Sequence, residues 1–152
     1  TNAQINGVYD LIHDSLISVF NTFDIPATKC VDPPKVAREQ EPFLCFLRRS
    51  AGDVLLNNAK IVGSAQRRNK TQVLQHGSIL LKQSNFAPEL PGILELSKVD
   101  LDSTNWVASW LEKLKSLFRC QLSNYSLTHE QLKRAHKIEA SRFLNPDWLL
   151  KR

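Results

Sequence analysis

A chain of 152 residues, 42% of them hydrophobic, is long enough for one domain with its own core, burying roughly two thirds of the surface its unfolded form exposes. Twenty Lys and Arg against 15 Asp and Glu leave a net charge of +5, which suits acidic partners of several kinds, but the basic clusters lack the aromatic interleaving or zinc-finger spacing of a nucleic-acid binder. The longest apolar runs, such as Ile79-Leu80-Leu81, exclude a membrane span of ~20 residues, and three cysteines without a CxxC exclude a disulfide framework, so a cytoplasmic protein in a reducing compartment is expected.

The first element is an amphipathic helix over residues 4–20, where Ile5, Val8, Leu11, Ile12, Leu16 and Val19 fall at helical spacing opposite Asp10, Asp14 and Ser18. The stretch KCVDPPKVAREQEP follows; two adjacent prolines and dense charge predict a loop, and one of that length is usually functional or mobile. Residues 43–47 read as a short strand. DVLLNNAKIVGSAQRR then reads as a hairpin, because Asn57-Asn58 tolerates the positive φ of a tight turn, and residues 73–81 supply a further strand.

Beyond residue 101 the period becomes helical. Trp106, Val107, Trp110, Leu111, Leu114 and Phe118 form a stripe after a Ser103 or Thr104 cap. A second helix is predicted to start at Thr128, where Gln131 completes a capping box and Leu127 is placed for a hydrophobic staple, and to end before Asn145-Pro146. Helix, antiparallel strands, then helices make an α+β domain without internal repeats. The sequence contains no Met at all, and the chain reads as a fragment of a longer protein.

Residues 60–78, KIVGSAQRRNKTQVLQHGS, concentrate the candidates for chemistry. Lys60 precedes Gly63-Ser64-Ala65, small residues beside which a ligand approaches the backbone closely, and its ammonium can hold a carbonyl or phosphate oxygen. Spacing alone equally describes a solvated Lys in a hairpin. GSAQRR has one Gly and no following Lys-Ser or Lys-Thr, so it is no phosphate loop. His13, His129 and His136 are scattered without metal-ligand spacing, and no metal is expected.

Over residues 40–82 the sequence resembles the lipoate-protein ligase and octanoyltransferase family, whose signature is a Lys-Ile-x-Gly-Ser-Ala-x-x-Arg strand and a following His-Gly; here it reads KIVGSAQRRNKTQVLQHGSILL. The resemblance implies the fold shared with biotin ligases, a central mixed, mainly antiparallel sheet flanked by helices, as one catalytic domain over residues 1–152. It also implies transfer of a medium-chain acyl group to a Lys of a lipoyl carrier domain. Lys60 matches the family Lys that contacts the acyl carbonyl and, in ligases, the phosphate of an acyl-adenylate. Gly63, Ser64 and Ala65 match the tunnel wall, and His76-Gly77 matches the following His-Gly; His76 stands either near the acyl site or, as a His that begins a strand, as a packed structural residue. Asp53 stands in the place of the Asp in the ligases' Asn-Asp-Leu stretch, with Gly52 before it. The family's Arg-Arg-x-x-Gly-Gly-Gly segment is absent from these 152 residues, which implies the C-terminal part of the catalytic domain without its Gly-rich half.

In one octanoyltransferase type the acyl group rides on a Cys three residues before the His-Gly, a place held here by Val73. In a second type it rides on a Cys-Phe in the loop before the hairpin, which Cys45-Phe46 matches. A Cys between Leu44 and Phe46 also suits a small buried hydrophobe, the reading kept for Cys30 and Cys120. Three functions therefore stand open. The first is a cofactor-free acyltransferase that carries octanoate or lipoate on Cys45, from acyl carrier protein to acidic lipoyl carrier domains. The second is a ligase that makes lipoyl-AMP with ATP and Mg, Lys60 lying on the phosphate. The third is a non-catalytic binding module of the same fold. Arg67 and Arg68 are either a solvated strand end or a dock for an acidic carrier, and neither nucleic acid nor membrane is an expected partner.

Overall fold

The first helix, α1 (Asn2–Thr22), opens a computed structural model that describes residues 2–70 and 72–150. Its buried face carries His13, Leu16, Val19 and Phe20, while Leu11, expected on that face, is exposed. The face is thus rotated toward the row 9, 13, 16, 20, one side of a 3.6-residue period. The side chain of Ile5 lies outside the described residues.

Four strands follow in sheet order: β1 (Thr28–Lys29), β2 (Val54–Leu56), β3 (Ala59–Arg68) and β4 (Val73–Ile79). Every described pairing is antiparallel. The β2–β3 connection is the expected two-residue turn, with φ of 48° at Asn57 and 65° at Asn58, the left-handed pair that matches strand twist. β1 was not legible in the sequence: it is two residues long and overlaps the stretch that reads as a loop.

Residues 43–47 form a turn and no strand. Leu47 N–H donates to Leu44 O at 3.0 Å and Arg48 N–H to Cys45 O at 3.3 Å, while the Arg48 guanidinium folds back on Pro42 O at 2.6 Å and Glu41 at 3.1 Å. With these bonds made inside the segment, its backbone closes on itself and joins no ladder. β4 likewise ends at Ile79, because the carbonyls of Leu80 and Leu81 accept from Ile93 and Leu94 at the start of α2 (Ile93–Ser97).

α3 (Trp106–Phe118) packs its aromatic side against α1. The Trp106 ring lies 5.9 Å from Phe20, Trp110 lies 6.3 Å from Trp106, and Trp110 Nε1–H donates to Ser15 Oγ at 2.9 Å. Val107, Leu111 and Phe118 stay exposed, so only part of the expected stripe is covered. Its N-cap residue is Asn105, whose side chain makes no cap bond; Thr104 Oγ1 accepts from Trp106 N–H at 3.4 Å. Leu16, Phe20, Val54, Leu56, Ile61 and Ile93 form the heart of the core between sheet and helices.

The chain divides into two compact units, Thr1–Cys120 and Gln121–Arg152. In the second unit α4 (His129–Ile138) begins with the expected capping box: Gln131 N–H donates to Thr128 Oγ1 at 3.2 Å and Thr128 N–H to Gln131 Oε1 at 2.8 Å. A π turn, Glu139–Phe143, follows it. Asn145 then caps α5 (Pro146–Leu149).

Candidate active site

The site is built on a register slip. Val54 pairs with Val62 but Leu55 with Lys60, so β3 has one residue more than β2 at this point, a bulge at Ile61. Ile61 and Val62 consequently both enter the core, at 0% and 3% exposure. Lys60 and Gly63 then share the opposite face of the sheet, which strict alternation forbids for residues three apart. A Cβ on Gly63 would lie 2.5 Å from Lys60 Cε and 2.9 Å from Nζ. The Lys60 side chain lies flat over the glycine, in the space that only a missing side chain leaves.

Lys60 Nζ meets Asp53 Oδ2 at 2.9 Å, with the carboxylate side chain 3% exposed. Ser50 N–H also donates to that oxygen, at 2.7 Å. A buried pair of this kind is tolerated because each charge has a partner and the carboxylate has a second donor. Nζ lies 5.4 Å from the centre of the Phe46 ring, a cation–π contact that covers another side of the ammonium. The Asp53 charge reaches further still. Burial raises the Tyr9 phenol above its ordinary pKa, Asp53 raises it again, and contact with Ser64 acts in the opposite sense.

Cys45, Lys60, Gly63, Ser64, Ala65, His76 and Gly77 line one open hollow of about 260 Å³ together with Phe46 and Ser78. Cys45 is exposed at a turn, whereas Cys30 is buried and Cys120 exposed away from the hollow. Gly77 lets β4 close on β3, since a Cβ there would lie 2.5 Å from Gly63 O. Ser64 contributes to the hollow, yet its hydroxyl binds the other side, accepting from Gln75 Nε2 at 3.0 Å and meeting His13 Nε2 at 2.8 Å. Val73 and Arg67 lie toward the far end of the β3–β4 ladder, outside the hollow. Among the described residues no group of three or more His, Cys, Asp and Glu is placed to hold a metal, and no helix is long and apolar enough to cross a membrane.

The sequence did not point to Tyr9, His13 or Gln75. Their signal was positional: Tyr9 and His13 are one turn apart on the helix row that leads to Leu16 and Phe20, and Gln75 is the β4 residue directly opposite Gln66.

Over 99% of its length the chain is 25% identical to octanoyltransferase LipM of Bacillus subtilis, covering 63% of that protein. A 78-residue stretch is 35% identical to octanoyltransferase LipM of Clostridioides difficile, over 51% of this chain and 29% of that one. The chain therefore spans less than two thirds of the curated relatives it matches. Among solved structures, the T. acidophilum protein Ta0514, determined with bound lipoic acid, superposes with a TM-score of 0.67 at 12% identity, over 95% of this chain and 58% of that one. That likeness establishes the lipoate-ligase type of fold. The sequence profile of the biotin/lipoate A/B protein ligase family matches residues 2–84, more than half of the 152, and the chain belongs to that family.

Proposed function

We propose that the protein is an acyltransferase that moves an octanoyl group from the thioester of an acyl carrier protein to a Lys of a lipoyl carrier domain, through a thioester on Cys45. The observation that carries this reading is the placement of Cys45 on the same hollow as a lysine already locked by a carboxylate. The LipM relatives named as octanoyltransferases support the acyl group and the reaction class.

In the first step the Cys45 thiolate attacks the acyl carbonyl of the carrier thioester. The new C–S bond forms, the old one breaks, and the carrier thiolate leaves and takes up a proton. In the second step the ε-amine of the target Lys attacks the Cys45 thioester, an amide forms, and the Cys45 thiolate departs as the amine loses its proton. Thioester exchange is nearly balanced; amide formation is downhill and drives the sequence. In both steps negative charge develops on the carbonyl oxygen, where the Lys60 ammonium is the available donor. Asp53 keeps that ammonium in place, and the attacking form of Cys45 is its thiolate. No nucleotide is needed, since the carrier supplies an activated acyl group.

The test is intact-mass analysis after incubation with octanoyl-acyl carrier protein. The expected result is a covalent octanoyl adduct on the wild-type protein without ATP and none on Cys45→Ser. Unchanged transfer to a lipoyl domain by Cys45→Ser would sink the assignment. Modification that requires free lipoate and ATP would move Lys60 to a phosphate and the protein to the ligase class.

A further inference from the structure

Among the described residues of the first unit His13 is the most buried ionisable side chain, 1% exposed, and the acyl-transfer chemistry does not use it. Its ring bridges two separate segments. Nδ1 lies 2.6 Å from Gly52 O, and Nε2 lies 2.8 Å from Ser64 Oγ. A carbonyl can only accept, so Nδ1 carries the hydrogen. In the neutral ring Nε2 then accepts from the Ser64 hydroxyl, whose oxygen accepts in turn from Gln75.

Each anchored segment leads directly to Lys60. Gly52 precedes Asp53, the carboxylate that holds the ammonium, and Ser64 follows Gly63, the surface on which the lysine lies. Gly52 has φ of +92°, and a Cβ there would fall 2.6 Å from Tyr9 Cε1, so the phenol ring presses directly on this backbone. Tyr9 also lies 4.3 Å from the His13 ring, which makes the two α1 side chains one clamp. Gly52 N–H to Cys30 O and Cys30 N–H to Asp53 O, both at 2.8 Å, tie the same turn to the end of β1.

We propose that His13 is the positioning residue for Lys60: its bond to Gly52 O fixes the turn from which Asp53 reaches the ammonium, and its bond to Ser64 fixes the strand beneath it. The role of Lys60 in transfer rests on the function proposed above; the positioning itself does not. Truncation of His13 leaves the Gly52–Asp53 turn held by its backbone bonds to Cys30 but removes its tie to α1 and to Ser64, so Lys60 shifts from its place over Gly63, and misplacement of a catalytic group by about 1 Å costs on the order of 10²-fold in rate.

The test reads Lys60 directly. The full protein is pulsed with acetic anhydride, and the acetylation rate of each lysine is followed by peptide mass spectrometry in His13→Phe, His13→Asn and His13→Gln. An Asn amide reaches the place of Nδ1 and can donate to Gly52 O; a Gln amide reaches only the place of Nε2. His13→Phe is expected to raise the Lys60 rate several-fold while Lys82 and Lys115 keep theirs; His13→Asn, which keeps the Gly52 bond, and His13→Gln, which keeps only the Ser64 bond, are expected between His13→Phe and wild type, with His13→Asn nearer to wild type. In transfer assays the same order is expected in kcat, with KM for the octanoyl carrier little changed. If His13→Phe fails to fold, the Asn and Gln variants alone carry the test. A Lys60 rate that is the same in wild type and in every folded variant overturns the proposal, as does a rise that tracks only the loss of thermal stability. Labelling that follows the expected order in a protein that forms no Cys45 adduct supports the positioning and overturns the transfer function alone.

Discussion

The two halves of β3 meet different surroundings. Residues 59–62 pair with β2 across a bulge, and Ile61 and Val62 disappear into the core beside a charged pair that has a partner for each ion. Residues 63–68, mostly half-buried, pair in unbroken register, from Gly63↔Ser78 to Arg68↔Val73, with a β4 whose residues are mostly exposed. There the half-buried side chains of Gln66, Gln75 and Arg68 form a relay. The inner half places one ammonium rigidly, because a buried charge is stable only where its partners are fixed. The outer half leaves a face open, and the hollow lies where the two meet.

Lys60→Ala breaks the inner half most severely. It leaves Asp53 buried without its cation, which costs about 3–5 kcal/mol in stability, to be read by chemical denaturation. In a variant still folded under assay conditions, loss of the donor that the proposed function places on the developing oxyanion should lower acyl transfer by about 10²-fold or more. Wild-type rates in this variant would reduce Lys60 to a structural ion-pair partner.

Ile61→Ala tests whether the bulge residue belongs to the core. A fully buried Ile truncated to Ala costs about 2–5 kcal/mol, whereas Leu74→Ala on the exposed β4, at 62% exposure, changes stability by less than about 0.5 kcal/mol. Equal effects from the two in urea unfolding would erase the contrast between the halves.

Gly63→Ala separates stability from activity. Its methyl group would lie 2.5 Å from Lys60 Cε and 2.9 Å from Nζ, so the side chain shifts on the Asp53 carboxylate; the melting temperature falls less than in Lys60→Ala, where the ion is lost outright, while the displaced ammonium lowers transfer by about 10-fold or more. A large fall in melting temperature would mean that the glycine serves the backbone instead.

The smallest effect is expected just beyond β4, where the Glu95 carboxylate accepts from Gln83 N–H at 2.9 Å and Gly92 N–H at 2.8 Å. Desolvation opposes its ionisation, but the Gly92 and Gln83 donors outweigh it and hold the carboxyl below its ordinary pKa. A depressed carboxylate contributes stability above its unfolded pKa and loses it as pH falls through the folded value. Glu95→Gln should therefore melt slightly lower at neutral pH, with the gap closing in acid; a gap that persists in acid would assign the effect to packing.

Much of this was legible from local rules. The Asn57-Asn58 turn and the Thr128 capping box are short-range devices whose residues carry the conformation themselves, and both stand in the structure as read. Residues 43–47 misled for the opposite reason: apolar composition suggests a strand, but a strand needs a neighbour to pair with, and Arg48 closes this segment on its own carbonyls.

Residue order alone determined that Lys60, Gly63, Ser64 and Ala65 would share one strand, with His76 and Gly77 on the strand paired to it, because a hairpin carries its register in its turns. Which face Lys60 takes was decided only in the folded sheet. Period-two alternation sends it away from Gly63, and the one-residue slip at Ile61, stabilised by burying two adjacent apolar side chains, brings it back. The approach of Cys45 from its turn and the reach of His13 from α1 are likewise tertiary. Such contacts join residues 39 and 51 positions apart in the case of His13, with Gly52 and Ser64, and no local pattern encodes a bond across that distance.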